Sequence, residues 1–471
     1  MKKVFRAIWK PILIVLPFVL GLTGFLIDGE PLLQAFYAGL CLYGMGQKEL
    51  PPNILVEVAR WLAPLVSASA VVMAAKSIRR YLHDTSARMS AHSVAVHGPK
   101  AEKEAILKAL GSQGIDMEDK PVKASRYLLL GDEMKNLEYF HTYLADTDKD
   151  VFLQSKSLSS RSVSKPNLYL FCPEETAARV FWEEHLLYPL SEKHDHQITI
   201  AMIGFGSLGR ELLLYSLENH IFHPNQRIAF HIWGEENGFR KIYRQLYQIS
   251  DPVVFHSEPW QDSLDKLSNA QMIIVAQQED QLATLRDLTM ALWNKPIHVM
   301  SVQPEGVEIL GHSLISFDWK AEAMQPKNIF NEEQLIYAKQ LNLMYYDMFS
   351  PSHRDNKRAD EAWTETNASS RESILKTTEY HRIQQLLMHG KEMTEENVEL
   401  LAELDHIHWC RYFYLRNWTG GEPRNGRNKD MENRIHRCLM PYHDLSWELR
   451  ESCRDNVLRL FKLDKNDVTL W

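Results

Sequence analysis

Residues 198–212, ITIAMIGFGSLGREL, pass from an apolar stretch into a Gly-x-Gly-x-x-Gly turn and then into a helical pattern. Few short segments narrow the possible folds as far. Gly204 suits the tight turn, Gly206 lets backbone come close to a pyrophosphate, and Gly209 lets helix and strand pack tightly. With Phe205, Ser207 and Leu208 between them, the new helix's N-terminus presents backbone amides to an anion. The strand RIAFHIWGEE follows, and Glu235 near its end is placed to hold ribose hydroxyls. DPVVFH, AQMIIVAQQ and KPIHVMSV continue the strand series. Residues 196–325 are therefore expected to form a parallel α/β unit that takes NAD(H) or another adenine nucleotide. The alternative is the same scaffold with an empty or purely regulatory site.

Such a turn usually opens its domain near the N-terminus, yet here a long segment precedes it, beginning with apolar sequence. Residues 1–82 read as a membrane domain. Lys2, Lys3, Arg6 and Lys10 lead into an uncharged run from Pro11 to Ile27, and a second uncharged run extends from Trp61 to Ala75 before Lys76, Arg79 and Arg80. As a helix the first run covers roughly 26 Å, slightly short of a hydrocarbon core of about 30 Å. Basic residues flank the outer ends of both runs, so spans at about 11–27 and 58–78 place both termini in the cytoplasm. A cleaved signal peptide or a single anchor are the rival readings. Between the spans, residues 32–47 carry a short apolar stretch ending in Tyr43-Gly44-Met45-Gly46. That pattern fits a re-entrant pore loop in which Gly44 and Gly46 adopt left-handed conformations and carbonyls face an ion path. An interfacial hairpin without a pore fits as well. Glu57 and Arg60, one helical turn apart, are placed to pair.

The remainder reads as soluble. A net charge of −8 gives no basic face for nucleic acid, and five scattered cysteines suggest neither a disulfide framework nor a zinc knuckle. Residues 90–190 alternate strand and helix patterns around a degraded turn, Gly98-Pro99-Lys100, interrupted by the Ser-rich KSLSSRSVSKP. Residues 326–390 read as a helical linker region, with a flexible arm from Ser350 to Glu372. Residues 391–471 are dense in aromatics and histidines. His406 and His408 fall on different helix faces, which argues against a two-histidine metal clamp; no metal site is expected.

In this last segment His406 with Trp409, the turn Asn417-Trp418-Thr419, Ile435-His436-x-x-Leu439-x-Pro441-Tyr442 and Arg454-Asp455 resemble the RyR domain, a small, mainly α-helical module also found singly in bacterial proteins. Residues 10–320, with two spans and a Gly204/Gly206/Gly209 turn, resemble ligand-gated channels and transport regulators of the Trk/RCK kind, whose TrkA-N-like Rossmann domain is a sensor. The implied fold class is two transmembrane helices, tandem Rossmann-like α/β units (one degenerate, one intact), then a mainly α RyR domain. The implied protein is a non-enzymatic, ligand-gated channel or channel-like effector in a bacterial cytoplasmic membrane. It would self-associate as a tetramer or dimer of dimers. His406, Trp409, Trp418, His436, Tyr442 and Arg454 could bind a nucleotide-like ligand, and Tyr43, Gly44, Met45 and Gly46 could line a pore. A membrane-tethered NAD-dependent oxidoreductase and a non-conducting adaptor remain the alternatives.

Overall fold

The computed structural model describes residues 2–44, 46, 53–88, 92–156, 163–308, 310, 313–349, 359–424 and 426–464. Met45, the serines at 157–162 and the C-terminal end of the expected RyR segment lie outside them. The chain divides into two units, Met1–Ala91 and His92–Trp471.

The first unit contains α1 (Lys2–Ile27), α2 (Leu32–Cys41), a short 3-10 turn at Leu42–Gly44, and α3 (Ile54–Arg88). Its core consists of Ala35, Ala38, Ala59 and Ala63 with Phe25, Leu42 and Val56. A Cβ on Gly21 would lie 2.7 Å from Leu42 Cδ1, and one on Gly24 would lie 2.6 Å from Val56 Cγ2. The helices thus meet through small residues, which allow close backbone approach. Large apolar groups face outward instead: Leu33 is 84% exposed, Trp61 73% and Tyr37 71%.

Of the two spans expected, one described stretch, Ile54–Val72, is long and apolar enough to cross a membrane; Ile14–Ile27 and Leu32–Gly44 are apolar but shorter. The apolar stretch of α3 begins earlier than residue 58 and includes Glu57 and Arg60, which pair at 3.4 Å.

The second unit holds two parallel sheets. The first comprises β1 (Val94–His97), β2 (Gly114–Asp116), β3 (Arg126–Leu129), β4 (Asp150–Gln154) and β5 (Leu168–Phe171), in the order β2-β1-β3-β4-β5. This is the flavodoxin-type winding, whose order reverses beside the first strand, whereas a degraded Rossmann turn implies Rossmann-like order. The second comprises β6 (Gln197–Ile203), β7 (Arg227–Trp233), β8 (Val253–His256), β9 (Met272–Val275), β10 (Ile297–Ser301) and β11 (Leu314–Asp318), in the order β11-β10-β9-β6-β7-β8. Counted from β6, that is the Rossmann order 3-2-1-4-5-6, read from the opposite edge. The helices Pro173–Glu184 and Ser207–Asn219 pack on one face, where Trp182 Nε1 donates to Leu212 O at 2.8 Å.

The C-terminal helices Glu332–Phe349, Ala359–Glu365, Ala368–Leu387, Glu395–Tyr414 and Trp447–Asp464 accompany a small sheet of β12 (Thr419–Gly420), β13 (Lys429–Asp430) and β14 (Ile435–His436), in the order β12-β14-β13. They are not a separate appendage. Tyr380, Ile383, Leu387, Leu404 and Leu415 belong to the hydrophobic cluster that backs β6 and β7. The arm expected over Ser350–Glu372 is largely two helices, with residues 350–358 outside the description. Two of its described charges are satisfied internally: Arg371 Nη2 donates to Val163 O and Ser164 O, and Glu372 accepts from Arg416 at 2.9 Å.

Candidate functional site

The glycine-rich turn lies where the strand order reverses, between β6 and β9, the usual crevice for ligands in open α/β sheets. Gly204 has φ +94, and its Cβ would fall 2.3 Å from Gln277 N, so neither its conformation nor its surroundings admit a side chain. Gly204 N donates to Trp233 O at 2.8 Å, tying the turn to the end of β7. A Cβ on Gly209 would sit 2.7 Å from Gly204 O, which is the close helix-to-turn packing that the spacing implies. Gly206 is different. Nothing lies within 4 Å of its Cβ position, leaving open space where a phosphate would approach. Phe205 and Leu208 are core side chains, so they offer a ligand only backbone; Phe205 packs on Phe239 and Phe255. Glu235 is exposed just past β7.

Several neighbours of this turn escape the motif. A Cβ on Gly234 would lie 2.7 Å from Phe205 N, so β7 also needs glycine at its end. Gln277 crowds Gly204 from β9, while Gln278 Nε2 and Gln281 Nε2 each donate to Met300 O at 2.9 Å. Ser207 Oγ donates to Glu174 Oε1 at 3.3 Å, so a buried carboxylate of the preceding helix faces the first turn of the fingerprint helix. Burial, with Glu175 nearby, raises Glu211 to about 7 against the opposing pull of Arg210.

In the C-terminal helices a cavity of about 770 Å³ is lined by His406, Trp409, Trp418 and His436, four of the six residues expected to bind ligand there. Trp409 and His436 meet edge to face at 4.8 Å, and His406 stacks on Trp409 at 5.6 Å. The other two lie elsewhere. Tyr442 is buried in the cluster with Leu401 and Val457. Arg454 is engaged by Glu399 and by Glu451 at 2.7 Å, a helical pairing that spacing along the chain could have revealed.

No family model matches the chain, and no curated protein matches it. Among solved structures, the crystal structure of a dipicolinate synthase component from Bacillus halodurans matches with 9% identity over 50% of this chain and 94% of its own, at a TM-score of 0.23. A superposition that loose says nothing of function.

The far end of the fingerprint helix is clamped by the C-terminal helices. Arg411 Nη1 donates to Leu217 O at 2.9 Å and to Asp251 Oδ2 at 2.7 Å; the two side chains are 3% and 1% exposed. Arg416 bridges Glu218 at 2.6 Å and Glu372 at 2.9 Å. Burial alone would raise the Glu218 carboxyl, but Arg416 and Lys376 outweigh it and hold it near 2. Asn417 holds the chain after β7, accepting from Arg244 N at 2.7 Å and donating to Ile242 O at 2.8 Å. His408, pushed down to about 3 by burial, stacks on Tyr380 at 4.4 Å.

At the expected pore loop the described residues serve the hairpin itself. Tyr43 O accepts from Ser67 Oγ at 2.9 Å, and Tyr43 OH donates to Ile14 O. Gly44 and Gly46 lie outside the left-handed region, contrary to expectation, because the chain leaves α2 through a right-handed 3-10 turn; the positive φ of +86 belongs to Gly29.

Proposed function

We propose that this protein is a membrane-anchored sensor of a nucleotide-type ligand, acting as a ligand-gated ion channel or channel-like effector. The observation that carries the reading is the open approach at Gly206, in a turn whose other two glycines leave no room for a side chain, at the reversal point of a Rossmann-ordered sheet. NAD(H) or another adenine nucleotide would place its pyrophosphate on the amides after Gly206 and its ribose near Glu235. The clamp made by Arg411 and Arg416 gives the fingerprint helix a rigid mechanical link to the C-terminal helices, where the RyR resemblance lies.

The outward-facing leucines and tryptophan of the first unit support a lipid surround, with α1 and α3 as the two spans. Conduction would require several copies around one axis, as a tetramer or dimer of dimers in a bacterial cytoplasmic membrane with both termini inside. Glu174 favours a second reading: a carboxylate beside Ser207 opposes a pyrophosphate, and the protein would then be a non-conducting adaptor with an empty site.

Calorimetry on the full chain against NAD, NADH, ATP and ADP-ribose separates the two. Gly206→Val fills the approach without backbone strain, so it should abolish binding while the fold survives. A wild-type chain that binds none of the four leaves the adaptor. Currents in planar bilayers that depend on the bound nucleotide support the channel; silence under every ligand, with a monomer in detergent, removes it.

A further inference from the structure

The C-terminal cavity has a wall of two chemical kinds. Trp409, Phe413 and Trp418 supply aromatic faces and edges, with the Phe413 and Trp418 rings 5.1 Å apart. Ser370, near the start of the helix Ala368–Leu387, and Arg459, from the helix Trp447–Asp464, supply a hydroxyl and a guanidinium. Arg459 has no ion-pair partner among the described residues. Arg459 is half-buried on the cavity wall, so its guanidinium is available to an anion that enters the cavity.

Asp405, also on the wall, is 9% exposed and held by Gln384 at 3.3 Å and Asn456 at 3.0 Å. Asn342, also on the wall, is buried with its Nδ2 unpartnered among the described residues. The volume of about 770 Å³ falls in the range of small-molecule sites.

We infer that this cavity is a second ligand site, separate from the fingerprint, for a mononucleotide-class compound: a flat heteroaromatic base bearing a phosphate. The base stacks among the tryptophans, an N–H of its edge reaches Asp405, and the phosphate meets Arg459 and the Ser370 hydroxyl. Asp405, Trp409 and Phe413 follow at four-residue spacing along the helix Glu395–Tyr414, so they share a face. The same helix carries Arg411 against the fingerprint helix, so occupancy of the cavity would be felt at the end of that helix.

The test uses the full chain carrying Gly206→Val, which silences the fingerprint whatever its own ligand. AMP, GMP, CMP and UMP are titrated by calorimetry and tryptophan fluorescence, with inorganic phosphate and free adenine as partial ligands. At least one mononucleotide should bind and change the fluorescence, more tightly than phosphate or adenine alone. Arg459→Gln, on a partly exposed residue, should weaken mononucleotide binding about tenfold or more and leave adenine unaffected. Trp409→Leu should weaken both. A Gly206→Val chain that binds none of the four overturns the proposal. So does binding that ignores both Arg459→Gln and Trp409→Leu, or that phosphate alone reproduces.

Discussion

Among the described residues of 1–91, alanine and glycine line much of the helix contact beside Phe25, Leu42 and Val56, while Leu33, Trp61 and Tyr37 are exposed. Among the described residues of 92–471 leucine, isoleucine and tryptophan fill the spaces between helices and sheets, and several buried charges are paired, as Arg411 with Asp251 and Arg416 with Glu218 and Glu372. The same chain thus follows two packing rules. Where water is the surrounding solvent, burying large apolar groups is the driving force. Where the surroundings are themselves apolar, nothing is gained by hiding a leucine, and close helix contact through small side chains decides the packing. The contrast is what the proposed lipid surround would produce; among the described residues, Ile54–Val72 is the one stretch of spanning length.

The strongest way to break the second rule is to strand a buried charge. Arg411→Leu leaves Asp251, 1% exposed, without its cation. Removing one partner of a buried pair costs about 3–5 kcal/mol, so chemical unfolding of the full chain, followed by tryptophan fluorescence, should move to clearly lower denaturant. Because Arg411 also holds Leu217 O, the same substitution should loosen the fingerprint helix and weaken any ligand bound there. Unchanged unfolding would mean that the pair is hydrated and the clamp slack.

The two rules can next be compared directly with one chemical change. Leu212 is fully buried against Trp182, and Leu65 is 67% exposed on α3. Leu212→Ala should cost about 2–5 kcal/mol of stability. Leu65→Ala should stay within about 0.5 kcal/mol in detergent yet reduce recovery of the protein with lipid vesicles in flotation. If Leu65→Ala destabilises the fold as strongly as Leu212→Ala, the first unit is packed like a soluble domain and the lipid argument fails.

Much of the fingerprint was legible because local geometry forced it. Gly204 needs its φ, Gly209 its close approach and Gly206 its open space, and all three demands act within one strand–turn–helix. The strand series after it was equally local. What the sequence could not show were contacts between residues far apart in the chain, such as Arg411 with Asp251 or Asn417 with the segment after β7. A charged stretch such as Ser350–Glu372 reads as solvated when its partners are unseen; Arg371 and Glu372 turn out to be buried and satisfied. Trp409, Trp418 and His436 line one cavity because they sit on the helix Glu395–Tyr414, the turn after it and the small sheet beside it, whereas Arg454 was taken by Glu451 and Glu399. The winding of the first sheet was illegible for a different reason: strand patterns fix direction and burial but not lateral order.

A milder perturbation uses pH. Burial raises Glu211 to about 7 in the folded chain, well above the range of an unfolded glutamate. The folded state therefore holds this proton more tightly than the unfolded state does. Stability from this group is full below about pH 4.5 and is lost as pH rises toward 7, a fall of up to about 3 kcal/mol. Glu211→Gln should flatten that part of the stability–pH curve. It should also strengthen nucleotide binding above pH 7, because one carboxylate near the fingerprint helix is removed. A slope that persists unchanged in Glu211→Gln would assign it to another group, with Asp405, raised by burial to about 6, the first to examine.

The smallest effect is expected at Gly44, and it separates the hairpin from the pore. Gly204 and Gly44 look alike in sequence, each part of a Gly-x-Gly pair, but their environments differ. Gly204 is left-handed and enclosed, so Gly204→Ala meets backbone at 2.3 Å. Gly44 ends a right-handed turn with nothing within 4 Å of its Cβ position. Alanine there restricts the unfolded chain without straining the folded one, which stabilises by about 0.4–1 kcal/mol in favourable cases. Gly44→Ala should therefore insert, assemble and melt as the wild type does, or slightly higher. Against that unchanged background a conductance measurement becomes informative. If the protein conducts and Gly44→Ala lowers the current, the added methyl narrows a path formed between copies. If the current is indifferent, the path, where there is one, runs elsewhere. A clear loss of stability would instead show that the turn after α2 is left-handed or enclosed, and that the packing of the first unit around Tyr43 and Ser67 is wrong.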